Sequence, residues 1–108
     1  MITQQELHSM DVFRAVADPV RRAILDLLRQ GDRSAGKIAG AFSVSRPAIS
    51  RHLRLLRSAD LVVESRKGKS HVYKLNPSPL LLLDEWLQPY GQFLQGASTR
   101  NKQSKRGR

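Results

Sequence analysis

One stretch of the chain, residues 45–58, carries side chains that could recognise a charged or polar partner. It supplies serines and arginines but no acidic residue. At 100° per residue along a helix, Ile49 and Leu53 fall on one narrow apolar stripe, whereas Ser50 and Arg51 point away from it. A helix that buries this stripe would present hydroxyl and guanidinium groups to solvent, where they could form hydrogen bonds with phosphates or with polar ring edges.

Such a face fits the major groove of double-stranded DNA. The groove admits an α-helix, arginine can offer two donors to O6 and N7 of guanine, and serine is short enough for close approach. Because the N-terminal residues of such a helix usually reach the bases, the predicted base contacts are Arg46, Pro47, Ser50 and Arg51. Arg54 and Arg57 lie further along the helix and are predicted phosphate contacts.

A second basic cluster follows at a predicted β-hairpin. Two runs with β-branched residues, 61–66 and 70–75, flank a glycine-containing turn. The basic residues near the tip of this hairpin are Arg66, Lys67 and Lys69. The segment 46–74 holds eight basic and two acidic side chains in a chain of net charge +10, which indicates a polyanionic partner. A basic tip directly after a basic helix suits a second contact, at the DNA backbone or the minor groove.

The starts of two predicted helices complete this candidate surface. Ser34 can cap a short third helix, and Ser34 and Lys37 could bind phosphate at its N-terminus. Ser45 is the predicted cap of the helix that follows and belongs to the same candidate surface.

The elements that would position these residues form one small domain. The chain has 108 residues, which is room for one domain and not two. The predicted helices cover 5–17, a stretch opened by Asp18-Pro19, a short stretch after Ser34, 45–58 and 79–95. Pro89 lies inside the last helix and should kink it. The predicted fold is mainly α with a small β-hairpin, a winged helix-turn-helix of order α-α-α-α-β-β-α.

The two ends of the chain differ in character. Residues 1–95 form the predicted winged helix-turn-helix domain. Residues 96–108 form a predicted disordered basic tail, because they contain no large apolar side chain to bury. The tail is either an arm that attracts phosphates or a solubilising terminus.

Residues 18–75 resemble the ArsR family of bacterial winged helix-turn-helix regulators. The stretches that carry the resemblance are 17–25, 45–56 and 59–62. It implies a DNA-binding transcriptional regulator, a dimeric repressor on an inverted-repeat operator, bound through helix 45–58 and wing 66–70. It also implies a homodimer held by the first and last helices.

The apolar residues of those two helices support such an interface independently. They cover more than one side of the last helix, which is more than a domain of this size can bury, although a lid on the core is the plainer alternative. The candidate interface residues are Leu7, Met10, Phe13, Leu83, Trp86, Leu87, Tyr90, Phe93 and Leu94.

The chain departs from the metal-sensing members of that family. The family's cysteine site would fall near 33–39, but the chain has no cysteine, and its alternative site on the last helix would need a histidine that 80–95 lacks. The three histidines, His8, His52 and His71, are far apart in sequence. The sequence therefore predicts a cysteine-free, non-metal-sensing type without cofactors. Whether a small-molecule effector exists stays open, and Trp86, Tyr90 and Phe93 are more simply packing residues than a pocket.

Two functions remain from different classes. The first is a sequence-specific repressor. The second is a non-sequence-specific nucleic-acid binder, either a nucleoid architectural protein or an RNA-binding winged helix, which the net charge fits equally well. Catalysis is not expected, because no paired carboxylates, catalytic triad or glycine-rich phosphate loop appears. We expect a cytoplasmic protein without a membrane contact, since no apolar run approaches about 18 residues and the start resembles no secretory signal.

Overall fold

A computed structural model describes residues 1–96, so nearly all of the predicted tail, 97–108, lies outside the described residues. The elements are α1 Gln4–Ala15, α2 Pro19–Arg29, β1 Arg33–Ser34, α3 Ala35–Gly40, α4 Arg46–Ser58, β2 Val62–Lys67, β3 Ser70–Leu75 and α5 Leu81–Leu87. The 3-10 turns Ser78–Leu80 and Gln88–Tyr90 flank α5, and 91–96 is helical again.

Side-chain caps at the helix N-termini explain where the helices begin. Asp18 accepts a hydrogen bond from the backbone N–H of Arg21, and Pro19 opens the first turn of α2. Ser34 caps α3 and Ser45 caps α4 in the same way. These three predicted caps are confirmed. They turn the chain sharply between helices, which produces the helix-turn-helix.

The sheet contains one more strand than the predicted hairpin. Strands β2 and β3 pair antiparallel, with Lys67 opposite Ser70 at the tip and Gly68 in the turn at φ +62°. Strand β1 pairs with the other edge of β3, so the order is β1-β3-β2. The two-residue strand β1 was not predicted. It joins the start of α3 to the wing.

One apolar core lies between the helices and the sheet. Ile49, Leu53 and Leu56 of α4 are buried as predicted, together with Ile24 of α2 and Ile38 of α3. The strand pair contributes through a further buried residue, Tyr73. The core therefore holds α4 by its apolar stripe and leaves the rest of its surface available.

A left-handed residue ends α4 and sends the chain into the wing. Ala59 is buried, and Asp60 follows at φ +60°. The side-chain amide of Asn76 donates to the carbonyl oxygen of Asp60 at 2.8 Å, which fixes this turn from the far end of β3. The direction in which β2 leaves α4 depends on this turn.

The last helix is interrupted where the proline occurs. Proline has no backbone N–H to donate, and α5 ends at Leu87 before the 3-10 turn that contains Pro89. The single helix predicted over 79–95 is therefore divided into four segments: two 3-10 turns, α5 and the helical stretch 91–96. Within residues 1–96, none of the helices combines the length and the apolar character that crossing a membrane requires.

Candidate nucleic-acid interface

The exposed face of α4 lies opposite its buried stripe. The predicted contact residues of this helix and its cap are all exposed: Ser45, Arg46, Pro47, Ser50, Arg51 and Arg54. No acidic side chain belongs to α4. A polyanion could approach this surface without meeting a like charge from the helix itself.

The rotation of α4 about its axis is held by His52 on its inner side. The Arg21 guanidinium donates to His52 Nδ1 at 3.1 Å, and the same group donates to the carbonyl oxygens of Ala15 at 2.8 Å and Arg14 at 2.9 Å. One arginine thus joins the C-terminus of α1 to α4. His52 is thus a hydrogen-bonded packing residue on the inner side of α4.

Asp18 supports the same corner of the molecule. Its carboxylate caps α2 through the backbone N–H of Arg21 and lies 3.9 Å from His52 Nδ1. The backbone hydrogen bond lowers the pKa of Asp18 below its ordinary value, and the neighbouring His52 and Arg21 lower it further, although partial burial opposes them.

The start of α3 carries the two remaining helical candidates. Ser34 is half-buried, and its hydroxyl oxygen accepts the backbone N–H of Lys37 at 3.2 Å. Its oxygen is thus already occupied as a cap, whereas the Lys37 side chain is exposed. Of these two, Lys37 is the freer to reach a phosphate.

The wing tip presents a compact set of cations. Arg66, Lys67 and Lys69 are all exposed around the turn at Gly68. The wing leaves the body of the protein directly after α4, so its basic tip and the basic face of α4 belong to one continuous stretch of chain.

Arg57 differs from the other arginines of α4, because it pairs with an acid. Its Nη1 lies 3.0 Å from Oε1 of Glu64 on β2, while Tyr73 donates its hydroxyl to Glu64 Oε2 at 3.2 Å. His71 Nδ1 also contacts Glu64 Oε2. The structure thus gives Arg57 a protein partner where a phosphate contact was predicted, and it gives His71 the same partner.

Glu64 was missed in the sequence, although a signal for it exists: it is the lone acid between residues 61 and 75. Partial burial raises its pKa, but hydrogen bonds from His71 and Tyr73 and the charge of Arg57 outweigh burial. The pKa of Glu64 therefore lies below its ordinary value. Burial and the adjacent Glu64 carboxylate raise the pKa of Tyr73 in turn.

A separate apolar surface lies on α1 and the last helical segments. Its exposed members are Leu7, Met10, Trp86, Leu87, Tyr90, Phe93 and Leu94. Phe13 and Leu83 are partly buried beneath it. Phe13 meets Trp86 edge to face, with ring centroids 5.5 Å apart, which packs α1 against α5. The structure thus brings Phe13, Trp86 and Tyr90 into contact, and the remaining candidate interface residues are exposed or partly buried on α1 and the last helical segments.

The titratable side chains show no metal-binding arrangement in the described part of the chain. Across residues 1–96, no three His, Asp or Glu side chains gather to hold an ion. Each histidine instead has its own acidic neighbour: Asp60 for His8, Asp18 for His52 and Glu64 for His71.

Comparison with known proteins places this geometry in context. Residues 18–64 match the family described as "Bacterial regulatory protein, arsR family". The transcriptional repressor SdpR of Bacillus subtilis (strain 168) is 46% identical over 77 residues, which are 71% of this chain and 86% of that protein. The arsenical resistance operon repressor of Staphylococcus xylosus is 31% identical over 93 residues, 86% of this chain and 89% of that one. Among solved structures, an ArsR-like transcriptional regulator from Rhodococcus sp. RHA1 matches with a TM-score of 0.71 and 29% identity, covering 94% of this chain and 95% of the other.

Proposed function

The chain belongs to the ArsR family of bacterial regulatory proteins, and we propose that within it the protein is a dimeric repressor that binds an inverted-repeat DNA operator. The family and the matched relatives are DNA-binding transcriptional regulators and not enzymes.

The observation that carries the proposal is the exposed, acid-free face of α4. Ser50 and Arg51 are exposed near the N-terminal half of a helix that the core holds by its opposite side. We assign Arg46, Pro47, Ser50 and Arg51 to base edges, because the first turns of a recognition helix reach furthest into the groove. Hydrogen-bonding side chains held in a fixed direction can distinguish base pairs.

The remaining contact residues, five basic side chains and two serines, are assigned to the DNA backbone. Phosphate contacts fix the register of a protein on the duplex without reading sequence. The proposed phosphate contacts are Ser34, Lys37, Ser45, Arg54, Arg66, Lys67 and Lys69. Those on the wing reach the duplex beside the groove that α4 enters.

The apolar surface of α1 and the last helical segments is the proposed dimer interface. Phe93 is 68% exposed and Met10 56% exposed, and a contiguous apolar surface of this kind marks an interaction site on a small domain. A two-fold dimer would place two copies of α4 about one DNA turn apart. Repression then needs only occupancy of the promoter.

Sequence specificity is tested by competition. DNA fragments that the purified protein retains from random duplex would yield an operator, which is then titrated against a scrambled duplex at one salt concentration. We expect the operator to bind at least about 1,000-fold more tightly. A ratio near one would instead identify a non-sequence-specific nucleic-acid binder.

Two single substitutions test the division between base and phosphate contacts. We expect Arg51→Ala to relax the preference at one operator position and to weaken binding by about 1–3 kcal/mol. Lys69→Ala should weaken all sequences alike and flatten the salt dependence by about one unit of slope. Titrations of both variants at several salt concentrations measure these effects. If Arg51→Ala behaves like Lys69→Ala, α4 does not read bases.

Arsenite is not expected to release the DNA, although one relative is an arsenical resistance operon repressor. Soft thiolate ligands are the groups that bind such ions, and the chain contains no cysteine. Operator affinity measured with and without arsenite should be the same. Release at micromolar arsenite would contradict this part of the proposal.

A further inference from the structure

Three side chains from two elements converge on the carboxylate of Glu64. Arg57, in the last turn of α4, lies 3.0 Å from Oε1, whereas Tyr73 and His71 of β3 contact Oε2. The Glu64 side chain is only 20% exposed, while those of Arg57 and His71 are about half exposed. One carboxylate therefore links the recognition helix to both strands of the wing.

We propose that Glu64 is a positioning residue for DNA recognition, which withholds the Arg57 charge from the phosphates and fixes the wing relative to α4. This inference rests on the proposed function, because it requires that α4 and the wing bind DNA. It goes beyond that function, because it assigns a role in DNA-binding specificity to an acidic residue that lies within a basic surface.

The charge of Arg57 is held by Glu64 and not left free. A free arginine beside a groove attracts any phosphate backbone, and each such contact adds to affinity for all sequences alike. An arginine already paired with a carboxylate releases fewer counterions when DNA binds. Arg54 is exposed one turn earlier on the same helix and is the matched comparison.

The same contacts fix the angle of the wing relative to α4. An isolated exposed ion pair holds geometry weakly, whereas a shared network is better defined. Glu64 occupies the middle of β2, directly opposite Tyr73 in the register, and Tyr73 is buried in the core. The helix end is thereby tied to a strand position that the core already fixes. The basic residues at the wing tip then contact the duplex in a single orientation relative to α4.

The test measures the slope of log K against log salt for operator and scrambled duplex. The proteins are the unmodified chain, Arg57→Ala, Glu64→Gln, the double variant and Arg54→Ala. Glutamine has nearly the shape of glutamate without its charge and can still accept the Tyr73 hydroxyl. Thermal unfolding of each variant verifies that it folds.

We expect Arg57→Ala alone to leave the slope nearly unchanged, whereas Arg54→Ala reduces it by about one. Glu64→Gln should steepen the slope by about one, strengthen binding to scrambled duplex several-fold at low salt and lower the specificity ratio. Adding Arg57→Ala to Glu64→Gln should return the slope to that of the unmodified chain.

A matched control separates this effect from a general gain of charge. Asp26 lies 3.8 Å from Arg29 on α2, and both side chains are about 70% exposed. Asp26→Asn also frees an arginine by removing a carboxylate, but it should leave slope and specificity ratio unchanged. An equal change of slope and specificity ratio in Asp26→Asn would overturn the proposal, because the removal of any acidic side chain would then have the same effect on DNA binding.

Failure of this inference is distinguishable from failure of the proposed function. A slope that falls by about one in Arg57→Ala alone shows that Arg57 already contacts phosphate, and it overturns the role of Glu64 while DNA binding stands. An unmodified chain that does not bind DNA overturns both. Should Glu64→Gln not fold, the slope of Arg57→Ala in the otherwise unmodified chain decides by itself.

Discussion

Asp18 acts on two neighbours at the corner between α1 and α2. It caps α2 through the Arg21 backbone, and its charge lies close to His52, which faces the body of the protein from α4. The Arg21 side chain binds the same histidine and the last carbonyl groups of α1. A small set of local polar contacts therefore sets how α4 is presented.

Substitutions of Asp18 separate its cap from its charge. Asp18→Ala removes the capping oxygen and should lower the free energy of unfolding by about 1 kcal/mol. Asp18→Asn keeps a capping oxygen and should cost less at neutral pH. Urea unfolding at pH 7 measures both, and equal losses would contradict a capping role.

The pH dependence of stability gives a second test of Asp18. Its pKa is lowered in the folded protein, so the folded state favours the charged form. The stabilisation is present above the ordinary aspartate pKa of about 3.9 and is lost as pH falls through the lowered folded value. Stability of Asp18→Asn should therefore fall less steeply below about pH 4 than that of the unmodified chain. Parallel curves would show that the charge contributes nothing.

Residues that act on near neighbours in sequence were predictable, and those that act across elements were not. A cap such as Asp18 or Ser45 lies three residues before the N–H that it accepts, so the pattern is visible in the chain. The pairing of Arg57 with Glu64 depends on how β2 leaves α4, which the left-handed Asp60 decides. No periodicity in the sequence encodes that direction.

At the scale of elements, the helices lie where the spacing of their apolar residues predicts them. The structure differs from the prediction where an element is short or interrupted. The α4 stripe and the hairpin were predictable, because each has a clear period and a turn signal. Strand β1 was not, since two residues carry no alternation and their partner β3 lies far along the chain. The sequence predicted a kink at Pro89, and the structure has a 3-10 turn there.

Two glycine substitutions in short elements should change the stability of the protein in opposite directions. Gly68 sits in the wing turn at φ +62°, where a Cβ is strained, so Gly68→Ala should destabilise by about 1 kcal/mol. Gly36 is helical in α3 with open space around it, so Gly36→Ala should stabilise by about 0.5 kcal/mol. Urea midpoints measure both. Shifts in the same direction would contradict this account of the turn.

At the scale of the whole molecule, the protein exposes two surfaces of different chemistry. The basic surface combines the outer face of α4 with the wing tip, and the apolar surface combines α1 with the segments around Pro89. Residues of both surfaces could be named from the sequence, because charge and helical period define the first and apolar spacing on two helices indicates the second. The second depends on how the Phe13–Trp86 contact packs the two helices together.

Disruption of the apolar surface should separate the proposed dimer without unfolding the protomer. Met10→Glu and Phe93→Glu place charges on exposed positions outside the core, and we expect each to give a monomer by sedimentation. Operator affinity should fall on the order of 100-fold, because two half-sites are no longer bound together. The melting temperature of the unmodified chain should rise with protein concentration, and that of the variants should not.

The control for this prediction is an exposed apolar residue elsewhere. Val44 lies in the turn between α3 and α4, and Val44→Glu should leave the sedimentation of the protein unchanged. A monomeric Val44→Glu, or an unmodified chain that sediments as a monomer, would reject the interface.

The short pairing of Arg33 and Ser34 with β3 has a consequence for the duplex. Because it fastens the helix-turn-helix to the wing, we expect α4 and the wing to keep one relative arrangement when DNA binds. Adjustment between different binding sites then falls to the DNA, through bending and groove width. We expect the protein to bind weakly to sites whose base-pair steps resist the required bending, even where no side chain contacts those base pairs.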